Sequence, residues 1–141
     1  MDVSQQTVLV VEDSPLFRKL VGEFLHTLGV RQIVEASNGR AAIEQLTQRR
    51  PDLVCLDLTL PDVSGYDVCE YIRGQTELAG LPVLMISARG TLLDRAQAEE
   101  VGADGYLTKP FTQDEFNQQV VRLLERAAEA ASGGKSDVRT S

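Results

Sequence analysis

Five short runs rich in leucine and β-branched residues recur along the chain: "TVLVVE" (7–12), "QIVEA" (32–36), "DLVCLD" (52–57), "PVLMIS" (82–87) and "GYLT" (105–108). Segments of helical periodicity separate them, so the pattern is a strand followed by a helix, five times over. The first, third and fourth runs are almost wholly apolar instead of alternating. That marks strands covered on both faces, as in a parallel sheet with helices on either side. One residue breaks the pattern. Asp57 closes the apolar run Leu53–Leu56 and is followed by Leu58 and Leu60. An unpaired carboxylate taken out of water is so costly that it loses its charge or finds a cation.

The helices carry their own punctuation. Ser14 and Pro15 supply an N-cap and a first-turn proline, after which Phe17, Leu20, Val21, Phe24 and Leu28 share one face and Gly29 ends the helix. Asn38 and Ser64 are caps for the second and third helices, with Ile43, Leu46, Val68 and Ile72 pointing inward. Thr112 and Glu115 have capping-box spacing, flanked by Phe111 and Phe116 as a hydrophobic staple. The fourth helix is the poorest: Leu92, Leu93, Ala96 and Val101 give a thin stripe, which makes it a candidate for the part that moves. From about Ala128 the composition shifts to "AEAASGGKSDVRTS", read as a frayed helix end and a flexible tail over 128–141 beyond a single domain at 1–127.

At 141 residues the chain can close one hydrophobic core. Its 14 basic and 21 acidic residues give a net charge of −7, a field that repels nucleic acid and anionic membranes, so neither is expected as a partner. No apolar run approaches the ~20 residues that span a bilayer, and the first residues lack a signal-peptide pattern. Cys55 and Cys69 lie in apolar surroundings without CxxC spacing, which reads as reduced core thiols in a cytoplasmic protein.

Parallel strands bring all their C-termini to one edge, where open α/β proteins bind ligands. To that edge the first strand brings Glu12 and Asp13, the third Asp57, the fourth Ser87, and the fifth Thr108 and Lys109. Taken singly, Ser87 reads as a turn hydroxyl, and Glu12 and Asp13 read equally well as charges near a helix start. Together the set has a chemistry. Clustered carboxylates raise one another's pKa unless a cation intervenes, and Mg²⁺, a hard ion that keeps water and phosphate among its ligands, is the natural one. A lysine and a hydroxyl add a second positive point and a donor, so the site is one that handles phosphate. There is no GxxxxGK[ST] or GxGxxG loop. The single histidine, His26, falls near the polar side of the first helix and reads as a surface residue. Tyr106, in the last strand, lies close to the site.

With these residues in hand, the chain resembles the receiver domain of two-component response regulators over roughly Thr7 to Ala127. The resemblance rests on "VLVVEDSP", "LVCLDLTLPDVSGYDV", "VLMISA" and "GADGYLTKPF", four motifs in order. It implies a flavodoxin-like, doubly wound (βα)5 fold with a five-stranded parallel sheet in the order 2-1-3-4-5. It implies that Asp57 accepts a phosphoryl group from a phosphohistidine on a sensor histidine kinase or histidine phosphotransfer protein. Asp13, Asp57 and the backbone carbonyl of Thr59 would bind Mg²⁺, with Glu12 assisting, and Lys109 would contact the phosphoryl oxygens. The Lys109–Pro110 bond is commonly cis in the family. Ser87 would move toward the phosphate and Tyr106 would turn in behind it, changing the surface of the fourth helix, fifth strand and fifth helix for an output protein. Thr59 and Arg89 occupy positions that vary in the family and set how long the phosphoryl group lasts. Arg89 is bulky and cationic, able to obstruct water or engage phosphate, which gives the expectation of a long-lived phosphoform.

The resulting expectation is a single-domain regulator acting through protein contacts, monomeric or weakly dimeric on phosphorylation, and catalysing only its own phosphorylation and dephosphorylation. Three rival readings accompany it. A haloacid-dehalogenase-type phosphatase also uses an aspartate and Mg²⁺ at a strand end, but resembles a DxD pattern where this chain has Thr59. A phosphate-independent interaction module is opposed by the intact Asp13, Asp57, Ser87 and Lys109 set. The chain can also be the receiver part of a longer regulator, with "SGGKSDVRTS" beginning a linker.

Overall fold

The computed structural model describes residues 2–140, with side chains through 131. Its elements run β1 (Thr7–Val11), α1 (Pro15–Leu28), β2 (Gln32–Ala36), α2 (Gly39–Gln48), β3 (Leu53–Asp57), α3 (Gly65–Gly74), β4 (Val83–Ser87), α4 (Leu92–Glu100), β5 (Gly105–Thr108) and α5 (Gln113–Thr140). The strands form one parallel sheet in the order β2-β1-β3-β4-β5. Every residue of β3 and β4 is buried, as their uninterrupted apolar sequences require.

Successive side chains of a strand point to opposite faces, and the two halves of the core follow. Val8, Val10 and Cys55 join Val21 and Leu25 of α1 and Phe116, Val120, Leu123 and Leu124 of α5. Leu9, Val11 and Leu56 join Ala42 and Leu46 of α2, Val68 and Ile72 of α3, and Ala98 of α4. Each fully buried aliphatic chain of this kind contributes about 1.5–3 kcal/mol. Both cysteines are free and buried, and removal from water pushes the Cys55 thiol up to about 12 and Cys69 to about 11.

The helix starts follow the sequence. Oxygens of Ser14, Asn38 and Ser64 accept from the backbone N–H groups of Phe17, Ala41 and Asp67. Thr112 and Glu115 close a reciprocal capping box. Phe111 and Phe116 stack with centroids 5.8 Å apart. Gly29 ends α1 at φ 102°, a left-handed conformation that costs glycine little.

Two inward faces differ from expectation. Leu20 is 36% exposed and Leu25 takes its place in the core, because the buried stripe of α1 is centred on Val21 and Leu25. On α4, Leu92 and Leu93 are 85% and 78% exposed, while Asp94 and Ala98 are buried. The first turn of α4 therefore faces its leucines outward and a carboxylate inward. His26 is exposed, as expected. Helix α5 takes in 128–131, where the tail was expected to begin, in keeping with the high helix propensity of "AEAA". The remainder of that expected tail lies outside the residues whose side chains are described.

Candidate functional site

The sheet reverses direction of growth between β1 and β3, which are neighbours with Val11 opposite Leu56. Beyond that register β1 releases Glu12 and Asp13, and β3 ends on Asp57, itself paired with Ile86. Ser87 is opposite Thr108, and the N–H of Lys109 donates to the Ser87 carbonyl at 2.7 Å, so the ends of β4 and β5 are laced together. Carboxylate oxygens of Glu12, Asp13 and Asp57 lie within 4.8 Å of one another. Glu12 and Asp57 are buried and Asp13 is exposed.

One ammonium answers this cluster. Lys109 Nζ donates to Glu12 Oε1 at 2.8 Å and to Asp57 Oδ2 at 3.3 Å. It also lies 4.1 Å from the centroid of the Phe17 ring, a cation–π contact that fixes the lysine from the side of α1. Burial alone would lower the Lys109 pKa. The hydrogen bond to Glu12 and the charge of Asp57 outweigh that effect and hold the ammonium above its ordinary value. Glu12 uses its other oxygen, Oε2, to accept from the N–H of Ser14 at 3.0 Å. Both Glu12 oxygens are thus engaged, and of the three carboxylates Asp13 is the one exposed to an incoming cation.

Asp57 Oδ1 accepts from the N–H of Thr59 at 3.1 Å, which turns the start of the β3–α3 loop around the carboxylate. The loop then passes so close to the strand that only glycine fits at its far end. A Cβ on Gly65 would lie 2.5 Å from the Asp57 carbonyl oxygen and 2.8 Å from Leu58 Cα. The Lys109–Pro110 peptide is cis.

The donor set fits Mg²⁺. It is all oxygen, it holds three carboxylates against one ammonium, and one side of it is open at Asp13. Ser87 is buried, and its Oγ accepts from the N–H of Arg89 at 3.0 Å. The half-buried Tyr106 donates its hydroxyl to the Arg89 carbonyl. The Arg89 guanidinium does not join the carboxylates of the site but pairs with Asp94 at 2.9 Å. Phe17, Gly65 and Asp94 escape a reading by sequence: Phe17 meets Lys109 far along the chain, and the close approach at Gly65 and the Arg89–Asp94 pair across the start of α4 follow no sequence motif.

Residues 8–121 match the model of the response regulator receiver domain, and the chain belongs to that family. It is 41% identical over 121 residues to the DNA-binding dual master transcriptional regulator RpaA of Synechocystis, covering 84% of this chain and 49% of RpaA. It is 40% identical over 124 residues to the transcriptional regulatory protein KdpE of Mycobacterium tuberculosis, covering 88% of this chain and 53% of KdpE. The chain thus spans about half the length of these curated relatives. Among solved structures it is similar to the receiver domain of the sensor histidine kinase PA1611 from Pseudomonas aeruginosa, determined with a magnesium ion in its active-site cleft. That similarity has a TM-score of 0.78 at 28% identity and covers 85% of this chain and 98% of the other. Family and strand order agree on a receiver, the phosphorylation-switch module of two-component signalling, in place of a dehalogenase-type phosphatase. Among the described residues, no helix is long and apolar enough to cross a membrane.

Proposed function

We propose that residues 1–127 form a phosphorylation switch in which Asp57 accepts a phosphoryl group from a phosphohistidine of a sensor kinase or phosphotransfer protein. The observation that carries this reading is the position of Asp57. Its carboxylate ends a fully buried strand, faces Lys109 at 3.3 Å, and shares an edge with two further carboxylates. Phosphoryl transfer needs positioning and charge neutralisation more than covalent help. Asp57 supplies the attacking oxygen, and the Thr59 N–H orients it through the other oxygen. Lys109 moves from neutralising carboxylate to neutralising phosphoryl oxygen.

Asp13, Asp57 and the Thr59 carbonyl are the groups that would hold Mg²⁺, with Glu12 behind them. The ion supplies charge neutralisation to the phosphoryl oxygens when bound. Ser87 offers a hydroxyl to the phosphoryl group from the adjoining strand. Because Ser87, Arg89 and Tyr106 are hydrogen-bonded in series, a shift of Ser87 carries to the face of α4, β5 and α5. We assign the output to protein contacts at that face, with a monomer or a weak dimer as the assembly and no catalysis beyond the protein's own phosphorylation and dephosphorylation. The net charge of −7 supports a protein, not a nucleic acid, as what this segment itself touches.

A second reading has its own observation. RpaA and KdpE are transcriptional regulators about twice the length matched here, which supports a role as the receiver part of a longer, DNA-binding regulator. Both readings share one test. Incubation with acetyl phosphate and Mg²⁺, followed by a phosphate-affinity gel, gives an acid-labile shifted band that disappears in Asp57→Asn. A band that persists in Asp57→Asn overturns the assignment of the acceptor.

A further inference from the structure

Asp94 is a charged residue in an unusual place. It lies in the first turn of α4 with 5% exposure, where the two leucines beside it face solvent. Thr91 already caps this helix: its Oγ1 accepts from the Asp94 N–H at 3.1 Å and donates to Asp94 Oδ2 at 2.6 Å. That bond engages one oxygen of the carboxylate and leaves the other for a cation. The carboxylate's other oxygen, Oδ1, is met by the Arg89 guanidinium at 2.9 Å, its one ion pair among the described residues. The Thr91 hydroxyl is the first cause, and Arg89 a further one, of the Asp94 carboxyl being held below its ordinary range.

Arg89 is pinned at its backbone on both sides. Its N–H donates to Ser87 Oγ, and its carbonyl accepts from the Tyr106 hydroxyl. The next residue, Gly90, lies flat against β5: a Cβ there would sit 2.8 Å from Thr108 Oγ1, one residue before Lys109. The backbone of Arg89 is therefore fixed beside the end of β5, where Lys109 reaches the carboxylates. Its side chain is 66% exposed and, among the described residues, has a single anchor, Asp94. A long cation rooted next to a phosphate-handling site and tied back by one buried carboxylate has two places to go.

We propose that Asp94 is a positioning residue for the phosphoryl site, holding the Arg89 guanidinium away from Asp57 and leaving that side of the acceptor open to water. This inference rests on Asp57 being the phosphoacceptor. Neutralising Asp94 releases the guanidinium, whose planar fork suits phosphoryl oxygens. With Lys109 already neutralising charge there, the added bulk acts mainly to exclude the attacking water.

The test measures decay of the Asp57 phosphoform after removal of acetyl phosphate, in wild type, Asp94→Asn, Arg89→Ala and the double variant. Asp94→Asn is expected to lengthen the half-life about three- to fivefold, the scale on which one exposed ion pair shifts an equilibrium. In the double variant the half-life equals that of Arg89→Ala alone. Asp94→Ser, which keeps a capping oxygen without the charge, reproduces the effect if the Asn variant folds poorly. The Arg89 Nε–H resonance supplies a direct readout, moving on phosphorylation in Asp94→Asn and staying in place in wild type. A half-life in Asp94→Asn that is unchanged or shorter, or a lengthening that survives in the Arg89→Ala background, overturns the proposal while leaving the acceptor assignment intact. A wild-type protein that takes no phosphoryl group on Asp57 overturns both.

Discussion

At the N-terminal edge of the sheet, the single carboxylate of Asp104 has a full set of partners. Arg73 meets it at 2.8 Å and Arg126 at 3.2 Å, and it accepts from the N–H of Val83 at 2.9 Å. Arg73 in turn donates to the carbonyls of Ala79, Leu81 and Gly102, tying the α3–β4 connection to the start of β5. At the opposite edge three carboxylates cluster around one ammonium, which bonds Glu12 and Asp57. The first arrangement is closed: each charge is satisfied by the chain, and its purpose is to hold strands in place. The second is left negative by design of the fold, and such a cluster is comfortable only when a cation and an anion arrive from outside. The same residue type therefore serves structure at one end and chemistry at the other, and substitutions at the two ends should have opposite signs.

The largest effect is expected at the closed end. Asp104→Ala leaves the Val83 N–H without this acceptor and takes the ion pair from the half-buried Arg73, which keeps only its backbone carbonyl acceptors, and it should destabilise the fold by about 2–3 kcal/mol in urea unfolding. The acetyl phosphate reaction, measured per folded molecule, should persist. Loss of labelling at full occupancy of the native state would erase the distinction between the ends.

At the open end, addition of Mg²⁺ should stabilise. At tenfold excess over its Kd the ion adds about 1.4 kcal/mol, visible as a rise in Tm that is absent with a non-binding cation at equal ionic strength. A smaller effect of the same sign should come from Asp13→Asn without Mg²⁺. Removing one of three like charges relieves about 0.5–1 kcal/mol of repulsion, and the same variant should lose most of the gain from Mg²⁺. If Asp13→Asn is destabilising in the absence of the ion, the cluster is not the strained one described here.

The strand order was legible only through the family resemblance; the parallel sheet and its ligand edge were legible because burial of β1, β3 and β4 on both faces leaves a local signature, a run of apolar residues that no polar alternation interrupts. The caps at Ser14, Asn38, Ser64 and Thr112 were legible for the same reason, since each satisfies an N–H three residues away. Glu12, Asp13, Asp57, Ser87 and Lys109 could be assembled by placing strand ends together. What the sequence hid were carboxylates whose partners are remote. Asp104 and Arg73 are 31 residues apart, and Asp62 reaches Gly39 across 23. Nothing in "LPDVSG" distinguishes an aspartate that caps another helix from one that only turns the loop. The α4 face was misread because its first turn obeys the Arg89–Asp94 pair instead of a hydrophobic stripe.

Asp62 offers the finest test of the comparison, since it sits at the open edge yet is satisfied in the manner of the closed one. Its Oδ1 accepts from the N–H groups of Gly39 and Val63 at 2.8 Å, and its Oδ2 from Arg40 at 2.9 Å. The loop after Asp57 is thereby fastened to the N-terminus of α2, where exposed N–H groups and the helix dipole favour negative charge. These bonds, the one from Arg40 foremost, lower the Asp62 pKa to about 2. A carboxylate lowered in the folded state adds stability above the ordinary carboxylate pKa of about 3.9, and that contribution fades as pH falls toward 2. Carboxyl NMR should give Asp62 a midpoint near 2, and Asp62→Ala should flatten the loss of stability between about pH 4 and 2. A normal midpoint for Asp62 would mean that its amide bonds do not persist in solution, and that the loop after Asp57 is less firmly attached to α2 than its geometry indicates.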